Sequence, residues 1–189
     1  IAVHGDTVEE IFEDDGIREP VLSPDGRRIA YVQEGVVKVR DLSTDLFRTY
    51  PEIGGVQSGP DFSPDGRRLV FASDVDGNVD IYRVSAIIGE EGVEPVRLTE
   101  APSVEASPSW SPDGQFIAYE SNAPGNFDIF VMKTDGSEAG QLTNAPESDQ
   151  APDFFPRSGT NMLAFETNRD GDREIYLMRS DGSEETNLT

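Results

Sequence analysis

The densest grouping of ligand-type residues in the sequence is Asp74-Val75-Asp76-Gly77-Asn78-Val79-Asp80, with a partial echo at Asp170-Gly171-Asp172. Carboxylates two apart before a glycine are how calcium loops gather hard oxygen donors, which makes Asp74, Asp76 and Asp80 the candidate calcium ligands. A complete EF-hand loop would end in a bidentate Glu at its twelfth position, and position 85 is Ser, so that identity fails. The competing reading is a solvated turn, in which Asp caps nearby backbone N–H groups and Gly supplies a positive φ. The corresponding stretch further on, Ala123-Pro124-Gly125-Asn126, has no carboxylate at all, and the turn is the preferred reading.

Catalytic constellations are scarce. His4 is the only histidine, so a Ser-His-Asp site would have to be built around it, and no Gly-x-Ser-x-Gly nucleophile elbow accompanies it. The absence of cysteine removes disulfides, thiolate metal sites and thiol nucleophiles together. Carboxylate pairs abound, but among 37 acidic residues chance pairs are expected, so a glycosidase assignment from them would be empty. No phosphate loop or dinucleotide fingerprint occurs. The expectation is a chain without catalytic residues or cofactor, calcium aside.

The formal net charge of −22 repels phosphate backbones and anionic lipid headgroups, which argues against nucleic acid as a partner. No segment approaches the roughly 18 consecutive apolar residues of a membrane-spanning helix, so no membrane insertion is expected.

The elements that would position any site come from an internal repeat. Ser-Pro-Asp-Gly occurs at 23–26, 63–66 and 111–114, with a degraded copy at 155–159, and the marker prolines Pro24, Pro64, Pro112 and Pro156 are 40, 48 and 44 residues apart. That is close to the period of a four-stranded propeller blade. Each unit reads as four short strands. The first carries Leu22, Phe62, Trp110 or Phe154 and runs into the Pro-Asp-Gly turn. The second alternates with period two: Ile29 and Tyr31, Leu69 and Phe71, Ile117 and Tyr119, Leu163 and Phe165 share a face. The third contains Asp80-Ile81-Tyr82, Asp128-Ile129-Phe130 or Glu174-Ile175-Tyr176, and the fourth ends in Leu-Thr at 98–99, 142–143 and 188–189. An insertion falls around Ser85 to Glu94, and the fourth unit's first hairpin is two residues longer than the others. Phe62, Trp110 and Phe154 share one repeat position and are read as inter-blade core in preference to a sugar-stacking platform.

The run of Trp-Ser-Pro-Asp-Gly, Ile-Ala-Tyr, Asp-Gly-Asn, Asp-Ile-Tyr and Leu-Thr resembles the propeller repeat of the TolB family, which is also found in propellers attached to tricorn-like and prolyl-oligopeptidase-like peptidases. The resemblance covers residues 20 to 189. It implies an all-β fold: a β-propeller of four-stranded antiparallel blades at 20–58, 59–106, 107–150 and 151–189, preceded by a half blade at 1–19 formed by Ile1 to Val3 and Val8 to Phe12. Since propellers of this type usually have six blades, the array is expected to be incomplete and to self-associate in isolation. By the same resemblance the chain is expected to be a periplasmic or extracellular, non-catalytic scaffold for protein–protein interaction. The alternative is the substrate-gating propeller of a serine peptidase whose catalytic domain lies outside this chain.

In a meander, the loops after the second and fourth strands open on one face. They carry Glu13, Asp14, Asp15, Glu34, Glu52, Asp74, Asp76, Glu100, Glu105, Glu147, Asp149, Asp170 and Asp172 against Arg18, Arg169 and Arg173. That mouth is expected to be acidic and to receive a basic protein or peptide segment.

Overall fold

The computed structural model describes residues 2–4, 7–9, 16–44, 46–50, 53–90, 94–155 and 161–189. All regular structure among them is β. A short hairpin, β1 (Ala2–His4) with β2 (Thr7–Glu9), precedes four four-stranded antiparallel sheets. The first sheet is β3 (Arg18–Leu22), β4 (Arg28–Gln33), β5 (Val36–Asp41) and β6 (Phe47–Thr49); the second is β7 (Gln57–Phe62), β8 (Arg68–Ser73), β9 (Asp80–Ser85) and β10 (Val96–Arg97). The third is β11 (Glu105–Trp110), β12 (Phe116–Ser121), β13 (Asp128–Lys133) and β14 (Gly140–Gln141); the fourth is β15 (Asp149–Phe154), β16 (Met162–Thr167), β17 (Glu174–Arg179) and β18 (Thr186–Asn187). In every sheet the strands pair in chain order, and the first strands β3, β7, β11 and β15 lie side by side. These are the blades of a partial β-propeller, with the first strands innermost.

Chemistry explains why the repeated residues recur. In each Ser-Pro-Asp-Gly hairpin the Ser hydroxyl donates to Asp Oδ1 at 2.6 Å (Ser23 to Asp25, Ser63 to Asp65, Ser111 to Asp113). The same hydroxyl accepts the N–H that opens the second strand, from Arg28, Arg68 or Phe116, at 2.9–3.0 Å. The glycine sits at φ 67°, 67° and 70° in the three turns, a region an L side chain enters only at a cost. The degraded copy falls mostly on residues 156–160, outside those described.

The distant motifs Asp-Ile and Leu-Thr form one hydrogen-bonded cassette. Thr99 Oγ1 accepts the Ile81 N–H and donates to Asp80 Oδ1; Thr143 does the same for Ile129 and Asp128; Thr189 accepts from Ile175. The second carboxylate oxygen takes a donor from the residue two before the Thr, namely Arg97 for Asp80, Gln141 for Asp128 and Asn187 for Glu174. The short outer strand, only two residues long in three blades, is thereby held to its neighbour by side chains as well as backbone.

Blades stack through alternation. Leu69 and Phe71 point back into a cluster with Val37, Val39 and Tyr50, while Val70 and Ala72, on the other face of β8, meet Trp110, Ile117, Tyr119 and Met132 of the third blade. Ala118 and Ile129 in turn receive Phe154, Leu163, Phe165 and Met178. Large side chains on each backward face thus fill the space left by small ones on the preceding blade, as close packing requires. Trp110 is 6% exposed, as its reading as core requires.

Candidate functional site

The inner strands carry a second repeat. Glu19, Gly59, Ser107 and Ala151 have φ of 53°, 60°, 51° and 50°, each precedes a proline (Pro20, Pro60, Pro108, Pro152), and each sits in a register shift against the second strand. A left-handed non-glycine residue in a bulge costs about 1–3 kcal/mol and re-aims the side chains that follow it. Here the residue after each proline, Val21, Asp61, Ser109 or Asp153, turns to the central channel. Gly59 is the one glycine among the four; a Cβ there would stand 3.4 Å from Pro108 Cδ.

Two hollows of about 490 and 480 Å³ lie along this channel, both bounded by Asp61, Ser109 and Asp153. The first is walled by the bulges and their prolines, Pro60, Pro108 and Pro152. The second is walled by Leu22, the turn prolines Pro24, Pro64 and Pro112, and the edges of Phe62, Trp110 and Phe154. The polar residues also stitch neighbouring blades: Asp61 Oδ2 accepts the Trp110 N–H at 2.7 Å and Ser109 Oγ the Phe154 N–H at 3.1 Å. Burial drives the Asp61 carboxyl up to about 6, the Trp110 N–H opposing and the Asp153 charge adding to the rise. Asp153 is also raised, by burial, against a bond from the Ser109 hydroxyl. The channel wall therefore presents two carboxyl groups flanking a hydroxyl, on an apolar and proline-rich surface.

The three calcium candidates serve separate protein donors. Asp74 Oδ1 accepts the Val56 N–H at 2.6 Å; Asp76 accepts the Tyr82 hydroxyl and lies 3.2 Å from Arg97; Asp80 is fully buried between Arg97 and Thr99. The echo at Asp170 repeats the Tyr contact, its Oδ2 accepting the Tyr176 hydroxyl at 2.6 Å, and the third blade carries Pro124 and Phe130 at these two positions. Asp and Tyr six residues apart are a structural pair. Among the described residues no group of three or more His, Asp or Glu side chains is arranged to hold a metal ion. His4 lies in β1, its backbone paired with Thr7.

The residues assigned to the acidic mouth divide into two sets. Glu34, Glu100 and Glu147 are on the loops, while Glu13, Asp14, Asp15 and Glu52 lie outside the described residues. Glu105 and Asp149 are instead the first residues of inner strands and are buried at the seams between blades. Asp149 is held by Arg169 at 2.8 Å, and Arg169 also pairs with Glu185. The channel carboxyls Asp61 and Asp153 were not singled out by sequence; the signal was the proline four residues before each Ser-Pro-Asp-Gly proline or its degraded counterpart, with the channel residue next to it.

Comparison with known proteins agrees with this architecture. The family described as TolB beta propeller domain matches residues 7–157. The chain is 34% identical over 107 residues to an uncharacterized peptidase, YuxL, of Bacillus subtilis, covering 51% of this chain and 16% of that protein. It is 35% identical over 66 residues to the Tol-Pal system protein TolB of Alcanivorax borkumensis, covering 32% of this chain and 15% of that one. The solved structure of a putative TolB from Agrobacterium tumefaciens superposes with a TM-score of 0.77 at 26% identity, over 92% of this chain and 61% of that one. The matched stretches are thus about a sixth of the two curated relatives' length. With the family match spanning most of its residues and the same sheets recurring in a solved relative, this chain belongs to the TolB β-propeller domain family.

Proposed function

We propose that the chain is a non-catalytic binding propeller of the cell envelope, on its periplasmic side, that holds an extended segment of a partner protein in its channel. The observation that carries the reading is the channel wall itself: four repeated bulges aim Val21, Asp61, Ser109 and Asp153 inward above a floor of prolines and aromatic edges. Rigid, proline-walled concavity suits capture of a chain without a conformational change, and the two carboxyls favour a basic residue in it. The acidic loops of the upper mouth, Glu34, Glu100 and Glu147 among them, would steer such a segment inward. Family membership supports the location, and the single histidine in a terminal hairpin supports the absence of chemistry.

The test is fluorescence anisotropy with two labelled extended peptides of equal length, one lysine-containing and one with glutamate in its place. The basic peptide should bind, more weakly at higher salt, and Ser58→Trp, which fills the hollow walled by Pro60, Pro108 and Pro152, should abolish binding. Equal binding of both peptides, or binding indifferent to Ser58→Trp, would refute it. The second reading, a substrate-gating propeller of a peptidase, is favoured by the likeness to YuxL. It is tested by whether a peptide held in the channel is cleaved faster when a peptidase domain is encoded in the same gene.

A further inference from the structure

Three arginines gather on the hairpin face of the second blade, away from the channel. Register pairs Arg68 with Ser85 and Val70 with Arg83, so Arg68, Arg83 and Ser85 share the sheet face turned to the third blade. The corresponding pairs are Arg28 and Val39 in the first blade, Phe116 and Val131 in the third, and Met162 and Leu177 in the fourth. Only the second blade places arginine at both positions.

One acceptor position serves two of these cations. Arg28 donates across its seam to the Ala86 carbonyl at 3.0 Å. The matching carbonyl one blade on belongs to Thr134, and Arg83 occupies it. Arg68, at the position of Arg28, is left without that acceptor, and neither its guanidinium nor that of Arg67 makes a hydrogen bond or ion pair among the described residues. The nearby acids make their hydrogen bonds to neutral donors, Asp65 to Ser63 and the Arg67 N–H, Asp135 to Ser137 and Glu90 to the Ser85 hydroxyl, and act on the three guanidiniums through charge alone. Arg67, Arg68 and Arg83 line a pocket of about 320 Å³ with Ser85, and Ile87 and Val96 form its apolar wall. Glu90 and Glu94 also border it, so its lining among the described residues is net positive by one charge in a chain of net charge −22. Burial, and after it the adjacent Arg68 charge, hold the Arg83 guanidinium below its ordinary value, against the Asp135 charge, which raises it.

We propose that this pocket binds an oxyanion, a carboxylate or phosphate group, between the Arg67, Arg68 and Arg83 guanidiniums, with Ile87 and Val96 against the apolar part of its carrier. Planar guanidiniums with open donors match two oxygens of either group. The site is separate from the channel and does not depend on what the channel holds.

The test follows the arginine Nε–H resonances while the chain is titrated with inorganic phosphate, and separately with butyrate, at low chloride. Saturable shifts at millimolar concentration are expected with at least one probe; which of the two binds tells phosphate from carboxylate. The double variant Arg67→Gln and Arg68→Gln, both exposed and without partners in the fold, should weaken binding roughly tenfold or more. Arg173→Gln, whose partner is Glu166 on the opposite face, should leave binding unchanged. No saturable shift with either probe, or equal binding by the double variant with unchanged Trp110 fluorescence, would overturn the assignment.

Discussion

Replacing Glu105 by Gln should stabilise the protein at alkaline pH and leave it unchanged in acid. The inner strands β7, β11 and β15 each open with a residue whose N–H bonds to the preceding blade: Gln57 to Gly35, Glu105 to Val79 and Asp149 to Phe127, at 2.8–2.9 Å. Facing them, at the position that opens each third strand, are Val36, Asp80 and Asp128. Where the facing residue is Val36, the seam uses a neutral amide, and Gln57, 1% exposed, accepts the Val37 N–H and donates to the Tyr50 carbonyl, each at 2.8 Å. Where it is Asp80, the seam holds Glu105, 2% exposed, whose Oε1 accepts from Ser103 and Ser121 while Oε2 has no partner. Burial raises the Glu105 carboxyl, opposed by its serine bonds and reinforced by the Asp80 charge. A carboxyl raised in the folded state contributes stability that is complete below its unfolded value of about 4.3 and is lost as pH climbs through the folded value. The Gln variant has no such loss. An orphaned buried acceptor costs about 1–3 kcal/mol, so the variant's advantage should grow from near zero at pH 4 to that size at pH 8. At about 2–4 °C per kcal/mol for a domain of this size, thermal melts of both proteins at pH 4, 6 and 8 resolve it. A variant less stable at every pH, or an advantage that does not change with pH, would refute the reasoning.

Three further outcomes are expected. Thr143→Val keeps the side chain's shape but leaves the Ile129 N–H and Asp128 Oδ1 without their partner, so the urea midpoint should fall by an amount worth about 1–3 kcal/mol; an unchanged midpoint would remove the cassette as a source of stability. Asp61→Asn retains an acceptor for the Trp110 N–H and removes a carboxyl that titrates near 6, so the fall in stability between pH 5 and 7 should flatten relative to the parent; an identical slope would count against the burial of that charge. Calcium calorimetry should show no saturable heat, since Arg97 already bridges Asp76 and Asp80; a saturable heat lost in Asp76→Asn would restore the calcium reading.

The strands were legible because their signals are local. Ser-Pro-Asp-Gly closes its own turn through bonds spanning at most five residues, and the Leu-x-Phe alternation declares a face without knowledge of what covers it. The role of the Leu-Thr threonines was not legible, since Thr99 meets Asp80 only once β10 is laid beside β9, across an insertion. Asp76 stood as a calcium candidate beside the preferred turn, and its bond from Tyr82 was not legible because Tyr82 lies around a hairpin rather than in the loop. Glu105 and Asp149 read as mouth charges because charge alone does not reveal that an acid opens a buried strand. The channel bulges were written four times as a proline four residues ahead of each Ser-Pro-Asp-Gly proline or its degraded counterpart, but an isolated proline reads only as a strand end.

The most direct test of a binding channel without chemistry is photo-crosslinking from a lysine-containing extended peptide, mapped by mass spectrometry. Crosslinks on the inner strands β7, β11 and β15, at residues such as Ser58, Ser107 and Pro152, with the peptide recovered intact, are the predicted result. Crosslinks confined to the outer strands, or recovery of a cleaved peptide, would contradict it.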